Sequence, residues 1–92
     1  MKPIRATVRI KGVVQGVCFR HYTQQEAQRH GVTGWVKNLP TGEVAAVFEG
    51  RQSSVRQVVD WCRQGPRHAQ VEELDVEWGE ANNEFTTFEV RR

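Results

Sequence analysis

Apolar and polar positions alternate over residues 6–11, near the start of the chain. A period of two residues is typical of a strand that buries one face. The glycine-bearing stretch 12–20 ends this strand, and the segment 21–30 that follows is rich in good helix formers and contains neither glycine nor proline. We therefore predict a strand, a loop and a helix, with Gly31 ending the helix.

A pair of strands is predicted next, on either side of a turn that contains proline and glycine. Residues 32–38 form the first strand, residues 39–42 (LPTG) form the turn, and residues 43–49 form the second strand with alternating apolar positions. The pattern indicates a hairpin in which Asn38 lies where the first strand meets the turn.

The clearest helical pattern has apolar residues at i, i+3, i+4 and i+7. These residues are Val55, Val58, Val59 and Cys62. Ser54 and Gln57 have the spacing of a capping box at the start of this helix, and Gly65 with Pro66 is expected to stop it.

The last third of the chain returns to a strand pattern. Apolar and acidic residues alternate over 73–78, which predicts a strand with one solvated acidic face, and a short final strand is expected to hold Phe85, Phe88 and Val90. The order is βαββαβ with an extra C-terminal strand. The predicted fold is α+β: a ferredoxin-like sandwich in which two helices cover one face of an antiparallel sheet.

Length and composition limit the classes of protein that need to be considered. Ninety-two residues suffice for one domain, so we expect residues 1–92 to form a single domain and not part of a larger protein. No stretch is apolar enough for a signal peptide or a membrane span, which predicts a soluble, cytoplasmic protein. Cys18 and Cys62 are too few for a disulfide framework and are interpreted as reduced thiols.

Charge is distributed unevenly along the chain, although the net charge is only +2. Residues 1–40 contain seven basic residues and one acid, whereas residues 41–92 contain six basic residues and ten acids. The small net charge does not indicate a nucleic-acid-binding protein. The basic first part is consistent with a small anionic ligand there, although a chance asymmetry on solvated faces would look the same.

The candidate chemistry lies in residues 12–20 (GVVQGVCFR), called here the glycine loop. Its two glycines, Gly12 and Gly16, permit a tight backbone turn that exposes N–H groups. The helix start that follows adds unpaired amides and a positive dipole end, and Arg20 adds a planar, permanently charged guanidinium. Together these features predict an anion-binding loop, most plausibly for a phosphoryl group.

The glycine loop differs from two better-known phosphate-binding motifs. It lacks the Gly-Lys-Ser/Thr ending of a nucleotide-binding P-loop. Cys18 and Arg20 are separated only by Phe19, whereas a cysteine phosphatase has a long spacer between its cysteine and its arginine. Because no base or leaving-group acid is evident beside Cys18, we interpret it as a tolerated loop residue and not as a nucleophile.

The first forty residues offer few groups for acid–base catalysis. Between Gly12 and Asn38 the only carboxylate is Glu26, and His21 is expected to project from a different side of the helix than Arg20. Arg20, the loop amides and Asn38 could bind phosphate, position water and stabilise a loose transition state. Such a set suffices for an activated substrate, such as a mixed anhydride whose leaving group is a carboxylate.

Two stretches, residues 14–20 (VQGVCFR) and 34–38 (GWVKN), closely resemble the two signature sequences of the acylphosphatases. The resemblance extends over nearly the whole chain. It implies an enzyme that hydrolyses a small acyl phosphate with water, without metal or cofactor. We also expect a monomer, and the small net charge and the absence of a long apolar stretch predict that it needs neither nucleic acid nor a membrane. The resemblance also implies that Asn38 orients the attacking water and that the phosphoryl group is bound by Arg20 together with loop amides. Those amides are the N–H groups of Gln15, Gly16, Val17, Cys18, Phe19 and Arg20.

Two departures from the family pattern and two other functions stay open at this point. Many bacterial members carry glycine at the position of Cys18. Some members carry small polar residues after the asparagine, where this chain has Leu39 and Pro40. This second departure leaves the support of the Asn38 side chain undefined. The fold also suits a ligand-sensing or regulatory module without catalysis. RNA binding through the open sheet face is a further alternative, but the acidic strand at 73–78 argues against it.

Overall fold

A computed structural model of the protein describes residues 2–92 and contains seven elements. They are β1 (Ile4–Val13), α1 (Phe19–Arg29), β2 (Thr33–Asn38), β3 (Val44–Gly50), α2 (Gln52–Cys62), β4 (Gln70–Glu80) and β5 (Phe88–Arg91). The strands form one sheet in the order β4-β1-β3-β2-β5, and α1 and α2 pack on the same face of it. The predicted ferredoxin-like arrangement with an extra C-terminal strand is confirmed.

The sheet is mixed and not wholly antiparallel, because β5 runs parallel to β2. The pairs β4–β1, β1–β3 and β3–β2 are antiparallel, as expected. After β4, which lies at one edge, residues 81–87 cross the end of the sheet, so β5 starts beside the start of β2, with Phe88 opposite Gly34. β5 therefore ends near the end of β2, where Asn38 lies.

The core lies between the sheet and the two helices. The apolar side of β1 and the predicted stripe of α2 are buried, with relative exposures of 2% or less. The buried face of α1 is narrow. Tyr22, one of its few apolar residues, is 44% exposed and does not belong to the core. Thr23 is buried in its place, and its hydroxyl donates a hydrogen bond of 2.7 Å to the Phe19 carbonyl. This bond allows a polar side chain within an otherwise apolar layer.

The boundaries of the helices differ in detail from the sequence-based expectations. α1 begins at Phe19 and ends before Gly31, whose φ of 68° is the left-handed conformation expected of a C-terminal glycine. The predicted capping box of α2 is wrong: Arg51 is the N-cap and no side chain caps the helix. Helical bonding has already begun before Ser54, since the Val55 amide donates to the Arg51 carbonyl at 2.9 Å.

A buried ion pair lies under residues 81–87, at one end of the sheet face that the helices leave open. The Glu49 carboxylate is 2% exposed and accepts a hydrogen bond of 2.7 Å from Arg5 Nε. It also accepts hydrogen bonds from the backbone amides of Asn82 and Asn83, at 2.9 and 3.2 Å. Phe85, expected in the final strand, instead precedes β5, with its ring 5.5 Å from the Arg5 guanidinium.

Candidate active site

The glycine loop turns between β1 and α1 through two residues with positive φ. Gly16 has φ 76°, and Cys18 has φ 61° and ψ 27°, in the left-handed helical region. Backbone that combines left- and right-handed residues in succession forms concave arrangements of N–H groups that bind anions. The local conformation therefore has the character expected of an anion-binding loop.

The amides of this segment are free to bind a ligand. In the described part of the chain, no backbone N–H from residue 15 to residue 21 donates a hydrogen bond to another protein atom. The first intrahelical bond of α1 runs from the Tyr22 amide to the Cys18 carbonyl at 3.1 Å. Free donors at a helix start, together with the helix dipole, favour a negatively charged ligand at this position.

Gly12 has a different role from the one that the sequence suggested. It lies within β1, at an irregularity of the β1–β4 pairing between Lys11 and Gly12, and does not form part of the turn. A Cβ atom here would lie 2.1 Å from the Gln70 carbonyl oxygen, and its φ is 131°. Glycine is needed here because β4 approaches closely.

Arg20 lies in the first turn of α1 and is half-buried. Its Nη1 donates a hydrogen bond of 3.1 Å to the carbonyl oxygen of Arg91, at the end of β5. The final strand therefore helps to orient the guanidinium. Only the tertiary structure reveals this contact, since the two residues are 71 positions apart.

Asn38 is the last residue of β2 and pairs with Val44 across the hairpin, as predicted. Its side-chain Oδ1 is buried and has no hydrogen-bond partner among the residues that the structure describes. A buried carbonyl oxygen without a partner is unfavourable by roughly 1–3 kcal/mol. Buried acceptors without a partner are uncommon in native proteins, and a catalytic role is one of the reasons for which they are retained.

The structure brings these groups together in one cleft of about 420 Å³. Its lining consists of Val14, Gly16, Cys18, Phe19, Arg20, His21, Asn38 and Val90. Arg20, part of the glycine loop and Asn38 therefore share one concave site, although Asn38 follows the loop only after a helix and a strand. His21, expected on a different side of α1, also lines this cleft, as does Val90, which the sequence analysis did not connect with the loop. The predicted residues Gln15 and Val17 do not line this cleft, and Val17 lines a separate one.

The two cysteines have different environments. Cys18 is exposed at the N-cap of α1, and its left-handed backbone conformation is one that glycine adopts more readily than any other residue. Cys62 is buried between α2 and the sheet, and this burial raises the pKa of its thiol well above the ordinary value. The Cys62 thiol is therefore protonated at neutral pH and packs as a small apolar side chain.

Two further properties concern metals and membranes. Within residues 2–92, no group of three or more His, Cys, Asp and Glu side chains is arranged to hold a metal ion. None of the helices in this range has the length and apolar character needed to cross a membrane.

Comparisons with known proteins identify the family of the chain. The family model described as Acylphosphatase matches residues 6–90. An acylphosphatase of Geotalea uraniireducens is 56% identical over 87 residues, covering 95% of this chain and 96% of that protein. An acylphosphatase of Geobacter sulfurreducens is 52% identical over 88 residues, covering 96% of this chain and 97% of that protein. The crystal structure of acylphosphatase from Bacillus subtilis superposes with a TM-score of 0.93 at 27% identity, over 97% of this chain and 99% of that one. With both signature stretches inside the matched region, the chain belongs to the acylphosphatase family.

Proposed function

We propose that this protein hydrolyses the carboxyl–phosphate bond of small acyl phosphates, releasing a carboxylate and inorganic phosphate. The observation that carries the proposal is the shared cleft, which is lined by Arg20, by residues of the glycine loop whose amides have no protein acceptor in the described chain, and by Asn38. The relatives at 56% and 52% identity are named acylphosphatase. We further propose that the protein acts in the cytoplasm as a single-domain monomer.

The phosphoryl group is held by the backbone and by one charge. Amides of residues 15–20 donate hydrogen bonds to its oxygens, and the guanidinium of Arg20 donates through its planar fork. Both kinds of donor are oriented before the reaction begins, so they stabilise the charge spread over the phosphoryl oxygens in the transition state without reorganising. The bond from Arg20 to the Arg91 carbonyl holds the guanidinium at the mouth of the loop.

The attacking water is oriented by Asn38. Its Oδ1 accepts one water O–H, which directs a lone pair of the water oxygen toward phosphorus. An amide does not remove the proton as a base would at neutral pH, so its contribution is position. This limits the reaction to substrates whose phosphorus is already reactive.

The leaving group explains why no acid is required. A carboxylate departs as a stable anion, because carboxylic acids have pKa values of about 4. A phosphate monoester of an alcohol must instead release a far more basic alkoxide, which benefits from a proton donor. A loose phosphoryl-transfer transition state with a good leaving group needs mainly charge stabilisation and alignment, which the cleft offers without a metal or cofactor.

The proposal is tested by comparing two substrates under identical conditions. Benzoyl phosphate should be hydrolysed in the presence of EDTA at the same rate as in its absence, and p-nitrophenyl phosphate should be hydrolysed slowly or not at all. The rates are measured by loss of benzoyl phosphate absorbance and by release of p-nitrophenolate. A preference for p-nitrophenyl phosphate would contradict the proposed substrate class, and loss of turnover with EDTA would contradict the metal-independent mechanism.

A purely regulatory module of the same fold is less favoured. Binding alone would require the loop and the arginine, but it would not require an asparagine in the same cleft. The high identity to acylphosphatases over nearly the full chain also supports the enzyme.

A further inference from the structure

We infer that the side chain of Gln15 positions Asn38 for the reaction by fastening the turn that follows Asn38 to the glycine loop. This inference rests on the proposed function. Gln15 Nε2 donates a hydrogen bond of 2.8 Å to the Leu39 carbonyl and one of 2.9 Å to the Glu43 carbonyl. A single side-chain amide thus uses both of its protons to join two segments that are more than twenty residues apart in sequence.

The two acceptors are the residues that close the β2–β3 hairpin. The Leu39 amide donates to the Glu43 carbonyl at 2.8 Å, and the Gly42 amide donates to the Leu39 carbonyl at 3.1 Å. Leu39 directly follows Asn38 in the chain, so a bond that fixes the Leu39 carbonyl also restrains the backbone of Asn38. Gln15 therefore contacts the base of the turn, close to the residue that carries the proposed water-orienting group.

Asn38 depends on this support because its own side-chain oxygen makes no hydrogen bond. Oδ1 has no partner among the described residues, so the backbone and the surrounding packing must set its position. Leu39 and Pro40, which follow it, have no polar side-chain groups that could brace it. Within the described chain, the Gln15 bonds are the only side-chain hydrogen bonds that join residues 14–18 to residues 39–43.

Gln15 thus has two separate roles at the site. Its backbone amide belongs to the free donors of the loop, and its side chain points away to the hairpin. The distance between the bound phosphorus and the water depends on the relative position of these two segments. A displacement of about 1 Å in a reacting group can reduce a rate on the order of 100-fold, so a loosened turn should affect turnover more than phosphate binding.

The test replaces Gln15 by methionine, which has similar length and no N–H donors. We expect kcat for benzoyl phosphate to fall on the order of 10- to 100-fold, while the inhibition constant of inorganic phosphate changes by less than about threefold. Gln57→Met is the matched control, since Gln57 is exposed on α2 and makes no side-chain hydrogen bond to a described residue. It should retain the activity of the unmodified protein.

The decisive measurement repeats the substitution in an Asn38→Ala background. If Gln15 acts through Asn38, Gln15→Met should lower kcat there by less than about twofold, because the group that it positions is already absent. Equal losses in both backgrounds, or a loss of phosphate affinity as large as the loss of kcat, would show that Gln15 acts on the loop itself and would overturn the inference.

A second variant and the unmodified enzyme complete the design. Gln15→Asn keeps the amide but is one methylene too short to reach both carbonyls, so it should lower kcat in the same selective way even if the methionine variant folds poorly. An asparagine variant with full kcat would overturn the inference. Absence of turnover by the unmodified protein would instead overturn the proposed function and the inference with it, whereas normal turnover with additive losses would overturn only the inference.

Discussion

Arg20 and Asn38 line the same cleft but differ in charge and in their contacts. Arg20 carries a permanent positive charge and is tied to the end of β5 through the Arg91 carbonyl. Asn38 is neutral, and its oxygen has no partner in the described chain. A charged donor strengthens binding of the phosphate in both the ground state and the transition state, whereas a neutral acceptor for water contributes only when water attacks.

This difference predicts distinct kinetic defects at the two positions. Arg20→Gln should weaken inhibition by inorganic phosphate by about 10- to 100-fold and should also lower kcat, since a charged hydrogen bond contributes roughly 1.5–3 kcal/mol. Asn38→Ala should lower kcat by about 100-fold and change phosphate inhibition by less than about threefold. Steady-state kinetics with benzoyl phosphate, with phosphate as a competitive inhibitor, measures both. A similar loss of phosphate affinity in the two variants would identify Asn38 as a phosphate ligand.

At the scale of the element, β2 carries Asn38 to the site and depends on one glycine for its path. Gly34 has φ 134°, and a Cβ atom there would lie 1.9 Å from the Val47 carbonyl oxygen of the neighbouring strand. The Gly34 amide also donates to the Thr87 carbonyl at 3.0 Å, just before β5 begins. Close approach on one side and this bond on the other hold β2 between β3 and β5.

Gly34→Ala should therefore destabilise the fold, lowering the free energy of unfolding by about 2 kcal/mol or more. Gly79→Ala is the matched control on β4, because no atom lies within 4 Å of the Cβ that it adds and its φ is not positive. The control should change the free energy of unfolding by less than about 0.5 kcal/mol. Urea denaturation followed by tryptophan fluorescence compares the two, and equal stabilities would contradict the close approach described at Gly34.

At the scale of the whole molecule, the two faces of the sheet are closed in different ways. The helices cover one face with an apolar layer, while residues 81–87 cover one end of the other face through the buried Glu49 carboxylate. The hydrogen bond that Arg5 donates to Glu49 raises the pKa of the Arg5 guanidinium above its already high value, so this partner stays charged. The crossing segment also determines where β5 begins, and hence where the Arg91 carbonyl meets Arg20.

Glu49→Gln should lower the free energy of unfolding by about 2 kcal/mol, because it removes the charge that Arg5 and two backbone amides share. Glu89→Gln is the control: its exposed carboxylate lies 3.5 Å from Arg91 and should contribute less than about 0.5 kcal/mol. Thermal or urea unfolding measures the difference. If the two substitutions had equal effects, the buried carboxylate would not hold the crossing segment in the way described.

The elements were predictable wherever one residue pattern alone decides the local structure. The stripe of α2 and the alternation in β1 bury the expected side chains, and Gly31 ends α1 as expected. The capping box at Ser54 failed because the spacing of two residues does not locate the first turn of a helix. The parallel pairing of β5 could not be predicted, since it depends on the path of residues 81–87 across the sheet.

The site was predictable only where a local residue pattern identifies its members. Two signature stretches identified Arg20, Asn38 and the loop amides as candidates, and local chemistry indicated an anion-binding loop. The supporting contacts were not visible, because Gln15 has no sequence signal for its bonds to two distant carbonyls. The link from Arg20 to Arg91 and the buried pair of Arg5 with Glu49 were likewise unforeseen.

Read by itself, the amino-acid sequence of this protein determined the order of its elements, the side chains that face the core, and the residue types available for chemistry. These properties depend on short-range periodicity and on the intrinsic character of each residue. The three-dimensional fold was needed to show that Asn38 shares a cleft with Arg20, that Gln15 joins the loop to the hairpin, and that Glu49 is buried. Contacts between distant segments depend on how strands pair and cross, which no local pattern specifies.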